Sequence, residues 1–329
     1  MFETKVTLVA GLLAISATSF AQASSDKLLS VLKTELTHNY AELQKQQVKP
    51  YFMSYRAEDV YKHVISSSFG KTSSDNVSRT RSVTPQIRLG DMKFDNFKYN
   101  SQCMPSRNGR SAATVTIPYD DNAVNGITTN IWNATCSRYD YSLMAYEQAK
   151  SKASTSTAEE DKAPCFSSAP VEKYFENPYP QDKIKIDDKA WQDRLNAISS
   201  VFKADASLVQ GSVSLDYNVT RSYLVNTEGT EVVQNRRSAR VMLAVQAIAD
   251  DGMQLPLMQD FFAFDPDSLP SQDAMIASAK DLLKRVEALR KAPVANPYTG
   301  PAILSGSASG VFFHEIFGHR LEGHRLKEG

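Results

Sequence analysis

Charge of a single sign is missing from this chain. Its 37 Lys and Arg residues balance 37 Asp and Glu residues, for a formal net charge of zero. Nothing in the composition therefore supplies the one-sided field that draws a protein to nucleic acid or to an anionic membrane surface. Cysteine is scarce and odd in number. Cys103, Cys136 and Cys165 fit no zinc-knuckle spacing, which leaves either one disulfide, Cys103 to Cys136, plus a thiol, or three inert thiols. Internal repeats are absent, and no run reaches the roughly 20 apolar residues of a comfortable transmembrane helix. What is present is 42% apolar residues, with 14 Tyr and 15 Phe, over 329 residues. That is ample for globular cores and long enough for two domains or one large one.

The N-terminus is more specific. Lys5 precedes a mostly apolar run from Val6 to Phe20, followed by Ala21-Gln22-Ala23. A basic start, a short apolar stretch and an A-x-A site form a secretory signal peptide, here residues 1–23. No Cys follows the run, which excludes lipid attachment there. The expected mature protein is exported, in the style of a bacterial periplasmic protein, with no stable membrane anchor after cleavage. Export permits disulfides.

Leu28, Leu29, Val31, Leu32, Leu36 and Leu43 recur at helical spacing, with Ser24 or Ser25 as cap. "KPYFMSYRAEDVYKHVISSSFGK" alternates like strands, and "RSVTPQIRLGDMKFDNF" reads as a strand that leaves by a turn at Gly90-Asp91. His38 and His63 are isolated in these segments and read as ordinary surface or core residues. Helical spacing covers 131–163, and the Pro-containing stretch after it reads as a connection. A helix near "DKAWQDRLNAISSVFKAD" follows. Strand-like segments then alternate with tight-turn dipeptides at Glu228-Gly229 and Asp251-Gly252, which predicts an antiparallel meander. "SQDAMIASAKDLLKRVEALRKA" predicts a helix capped by Ser271 and stopped by Pro293. The expected organisation is α+β: an N-terminal α+β domain over 24–165, a linker over 166–186, a central β-rich domain over 187–292, and the beginning of a metal-binding catalytic domain over 293–329.

The last of these carries the chemistry. A short apolar strand is expected at Ala302–Leu304, a turn at Gly306 and Ser307, and then the helix "GVFFHEIFGHR". Neutral imidazole is a good zinc ligand, and a catalytic zinc takes three protein ligands with one position left for water. Such an ion lowers the pKa of its water towards neutrality. A carboxylate beside the first ligand can take the water proton and hand it to the leaving amine. His314, His319 and Glu315 are the residues for those roles. The spacing differs from the common H-E-x-x-H pattern. At roughly 100° per residue, side chains five apart diverge by roughly 140° on an ideal helix. His314 and His319 can therefore share a metal only through an extra residue in a turn or a break between them. Gly318 makes a distortion there inexpensive. On residues alone, a histidine-bearing core helix is about as good a reading.

The surroundings tip that balance. "GVFFHEIFGHRLEGHR", with "GPAILSGSASG" before it, resembles the metal motif of the TldD/PmbA family of metallopeptidases. "RLGDMKFDN", "IPYDDN" with "IWNATCSRYDYSLMAYEQAKSKA", "YLVNTEGTEV", "DDGMQL" and "APVANPYTGPAILSGSASGVFF" are similar to further family segments. The likeness runs from about residue 38 to the end, and the terminal motif is its most specific part. It implies Zn²⁺ on His314 and His319, Glu315 as catalytic base, and the motif-bearing TldD-like branch. It also implies short or unfolded peptides as substrate, held extended beside a sheet edge. Partners would be a second copy or a PmbA-like subunit. The family's third ligand, a Cys, comes from a region C-terminal to this stretch, so a fragment is expected. Cys165, Glu322 or His324 are substitutes at other positions, with His324 more readily an outer or exposed residue. The alternative is a non-catalytic peptide-binding or scaffold subunit; metal storage on His314, His319 and His324 ranks third.

Overall fold

Two long β-hairpins set the architecture. In β1 (Pro50–Ser68) and β2 (Lys71–Leu89), Ser68 pairs with Lys71, which leaves Phe69 and Gly70 as a two-residue loop. Both have positive φ, 46° and 77°, as a type I′ turn requires, and that turn's twist matches the twist of the strands it joins. Phe69 tolerates the conformation with its ring packed against the core. β3 is the short Val115–Thr116 and β4 is Lys173–Phe175. The second hairpin joins β5 (Leu208–Asn226) to β6 (Glu231–Ile248), and β7 (Gln254–Ala263) follows. The meander and its turns at Glu228-Gly229 and Asp251-Gly252 are thus present. The computed structural model describes residues 26–99, 114–155 and 163–322. The expected signal peptide of residues 1–23, Cys103 and His324 lie outside them.

β1 pairs antiparallel with β5 from Ser54 to Ser68, so the hairpins join into one sheet. Among the described residues its order is β3-β2-β1-β5-β6-β4, with β7 also on β6. β4 runs parallel to β6, so the stretch read as a linker also supplies an edge strand.

Side chains alternate across a strand, and here odd-numbered residues form the covered face. Met53, Tyr55, Ala57 and Ile65 of β1 are buried, as are Val213, Leu215 and Tyr217 of β5 and Val241 and Leu243 of β6. Helices α1 (Lys27–Leu43) and α2 (Val124–Thr155) cover one end of this face. Leu28, Leu32 and Leu36 of α1, four residues apart, lie on one helical stripe against it. After the single turn α3 (Gln181–Ile184), helices α4 (Asp188–Ser200) and α5 (Gln272–Lys291) cover the other end. The result is the expected α+β class, with two apolar cores on one sheet. β1, β5 and β6 contribute to both cores. No helix among the described residues is long and apolar enough to cross a membrane.

Two caps can be compared with the sequence. Ser271 caps α5 as expected, its hydroxyl accepting from the Ala274 N–H at 3.2 Å. The cap of α1 is Asp26 rather than Ser24 or Ser25. The helix begins at Lys27, and an Asp oxygen in the capping position accepts from the Leu29 N–H at 2.9 Å.

Between the two helical layers the covered face turns polar. Asp59, Arg79, Arg81, Arg221 and Asn235 line a cleft of about 820 Å³ there. Asp59 accepts from Arg79 Nε at 2.8 Å and from Arg81 Nη2 at 2.6 Å. Arg221 donates to Asp26 at 3.0 Å and to the Asn235 side chain at 2.8 Å. Burial raises the Asp59 pKa, but the hydrogen bonds from both guanidinium groups outweigh it and hold the carboxyl below its ordinary value of 3.8.

Candidate metal centre

The segment after α5 differs from the expectation at its start. Ala302–Leu304 forms no strand; a three-residue apolar run needs a ladder partner, and none pairs with it among the described residues. Gly306 and Ser307 do not turn the chain but open helix α6 (Gly306–Ile316), with Ser305 in the N-cap position. None of the residues of α6 is buried, although Val311, Phe312, Phe313 and Ile316 are large and apolar.

The helix ends between the two histidines. Phe317 has φ −116° and ψ −50°, and the chain continues as a 3₁₀ turn over Gly318–Arg320. This is the break that the five-residue spacing requires for His319 to return to the face of His314. The ring centroids of His314 and His319 are 4.7 Å apart, with planes at 70°. Glu315 reaches both: its carboxylate oxygens are 4.0 Å from His314 Nε2 and 3.7 Å from His319 Nε2. One donor atom from each of the three residues lies within 4.8 Å of the other two.

A carboxylate not chosen as a site residue completes the arrangement. Glu322 Oε1 is 2.7 Å from His319 Nδ1. An ionised carboxylate only accepts, so Nδ1 carries the proton and Nε2, the nitrogen nearer Glu315, keeps its lone pair. Metal-binding histidines are commonly oriented by a carboxylate in this way. Glu322 thus serves His319 from three residues away, a role its position one turn on could have suggested. Cys165 lies elsewhere, its thiol donating to the Lys93 carbonyl at 3.3 Å. Two imidazoles on one exposed face suit a zinc-class ion by donor type, with the Glu315 carboxylate beside them.

Residues 173–285, from β4 into α5, match the model of the PmbA/TldA metallopeptidase central domain. The matched stretch is about a third of the chain, and within this α+β fold it is similar to the central domain of the PmbA/TldA metallopeptidases. The matched span ends before His314, so the histidine cluster rests on its own geometry. Among solved structures, TldE from Thermococcus kodakarensis is similar at 12% identity and TM-score 0.44, over 77% of this chain and 47% of that one. A candidate modulator of a DNA gyrase from Thermotoga maritima is similar at 13% identity and TM-score 0.43, over 76% and 47%. Another, from Bacteroides thetaiotaomicron, is similar at 9% identity and TM-score 0.43, over 80% and 50%. The chain spans about half the length of these proteins. No curated protein matches the sequence.

Proposed function

We propose that this protein is an exported zinc metallopeptidase that hydrolyses short or unfolded peptides, working with a second copy or a PmbA-like partner subunit. The observation that carries the reading is the helix break at Phe317, which gathers His314, Glu315 and His319 into one cluster. His314 and His319 would hold the ion, and Zn²⁺ there supplies Lewis acidity and a water acidic enough to ionise near neutral pH. Glu315, adjacent to both rings, is the base: it takes the proton of the attacking water and delivers it to the leaving amine. Glu322 holds the His319 ring in the tautomer that presents Nε2.

Peptidase assays and zinc content test this. Glu315→Gln should keep the metal and lower hydrolysis of an unstructured peptide by about 10²- to 10⁴-fold, the usual worth of general acid–base catalysis. His314→Ala or His319→Ala should each remove about one zinc per chain. Normal turnover in Glu315→Gln would sink the base assignment, and unchanged zinc in either histidine variant would sink the ligand pair. One observation favours the second reading, a non-catalytic peptide-binding or scaffold subunit: among the described residues, no third imidazole or thiolate joins the cluster. That reading predicts no hydrolysis in any variant.

A further inference from the structure

A second cluster, on elements other than α6, lies on the covered face of the sheet. His63 of β1 is 1% exposed. Its Nε2 is 2.6 Å from Asp75 Oδ1 on β2, and the other Asp75 oxygen accepts from Gln192 of α4 at 2.7 Å. Asp75 thus receives hydrogen bonds at both carboxylate oxygens, the acceptor role of an aspartate. With Nε2 donating to Asp75, the neutral His63 ring carries its lone pair on Nδ1. His63 Nδ1 is buried and has no hydrogen-bond partner. A buried polar atom left without a partner costs roughly 1 to 3 kcal/mol and calls for an explanation.

The atom facing it supplies one. Asp188 Oδ1, in the first turn of α4, is 3.7 Å from Nδ1. Two acceptors confront one another at that distance, which is too long for a proton between them to make a normal hydrogen bond. It is a good span for two ligands of one ion. With metal–nitrogen and metal–oxygen bonds of roughly 2.0 to 2.2 Å, a separation of this size corresponds to an open ligand angle of roughly 125°. His63, Asp75 and Asp188 each offer a donor atom within 4.8 Å of the others, and the exposed Asp188 side gives water and ions a way in.

The geometry points to a second divalent-cation site, of the zinc class, in which His63 Nδ1 and the Asp188 carboxylate are ligands and Asp75 is the carboxylate that orients the ring. Water fills the remaining positions. Imidazole together with carboxylate selects zinc or a neighbouring transition ion over calcium or magnesium. The site is structural: it ties the N-terminus of α4 to the β1–β2 hairpin, and it is independent of His314 and His319.

The test uses the whole chain carrying His314→Ala and His319→Ala, which silences the exposed cluster and so separates the two proposals. Zinc alone is the probe, followed by calorimetric titration and by thermal unfolding with and without the metal. This background should still bind about one zinc per chain, and zinc should raise its Tm. Asp188→Asn, a change at an exposed side chain that leaves the Asp187 cap in place, should weaken binding at least about tenfold and abolish the Tm rise. Asp75→Asn should weaken it by about 10- to 100-fold, as loss of an orienting carboxylate does. Absence of zinc binding in the background chain would overturn the proposal. So would an Asp188→Asn chain that binds zinc as tightly as its parent.

Discussion

His314 and His319 stand five residues apart in the chain, yet their imidazole rings meet edge to face with centroids 4.7 Å apart. The contact exists because the α-helix stops at Phe317 and a 3₁₀ turn carries His319 back.

This makes Gly318 a test of geometry without touching a ligand. A Cβ there would approach nothing closer than the Phe313 carbonyl at 3.8 Å, so Gly318→Ala should leave zinc affinity within about twofold. Gly318→Pro acts on the residue before it, pushing Phe317 out of its helical ψ towards extended backbone. His319 would swing away, and zinc affinity should fall at least about tenfold, the range that a misoriented ligand costs. Equal affinities in the two variants would show that the turn does not position the ligand.

The Asp59–Arg81 pair predicts a pH dependence. Both side chains are nearly buried, and Arg81→Met, which leaves Asp59 to Arg79 alone, should cost about 2 kcal/mol at neutral pH. Because the folded pKa of Asp59 lies below its ordinary 3.8, its contribution is complete above that value and disappears as pH falls through the folded pKa. Urea unfolding of wild type and Arg81→Met should therefore converge as the pH drops below 4. A gap that stays constant down to pH 2 would contradict the assignment.

Asp26 has two tasks that substitution can separate: it caps α1 and pairs with Arg221. Asn caps as well as Asp, so Asp26→Asn removes the charge and keeps the cap. Asp26→Ala removes both and should be less stable than Asp26→Asn by about 1 kcal/mol. Coincident denaturation curves for the two variants would mean that the cap contributes nothing.

Local chemistry was the legible part of this fold. The alternation in "KPYFMSYRAEDVYKHVISS" and the Gly-containing turns place the hairpins, and the five-residue gap between His314 and His319 showed that a shared metal would need a broken helix. What could not be read was pairing at a distance. Nothing local tells β1 that its second neighbour is β5, met at Ser54 and Asn226. His63 read as an ordinary residue for the same reason, since Asp75 and Asp188 reach it from another strand and from a helix packed on the sheet. The charges at Asp59, Arg79, Arg81 and Arg221 obscured the apolar alternation that marks a covered face, because that face is polar between its two cores. The Ala302–Leu304 run failed as a strand because apolar composition supplies no ladder partner.

The 19-residue strands β1 and β5 extend roughly 60 Å, and each reaches under both helical layers. Neither core can come apart without unzipping backbone that the other also needs. Melting should accordingly be a single cooperative event. Severing the chain between 166 and 186 would yield two polypeptides, each holding half of one sheet and each exposing a long edge that only the other satisfies. Such halves, made together, should reassemble by strand pairing, and made apart they should aggregate.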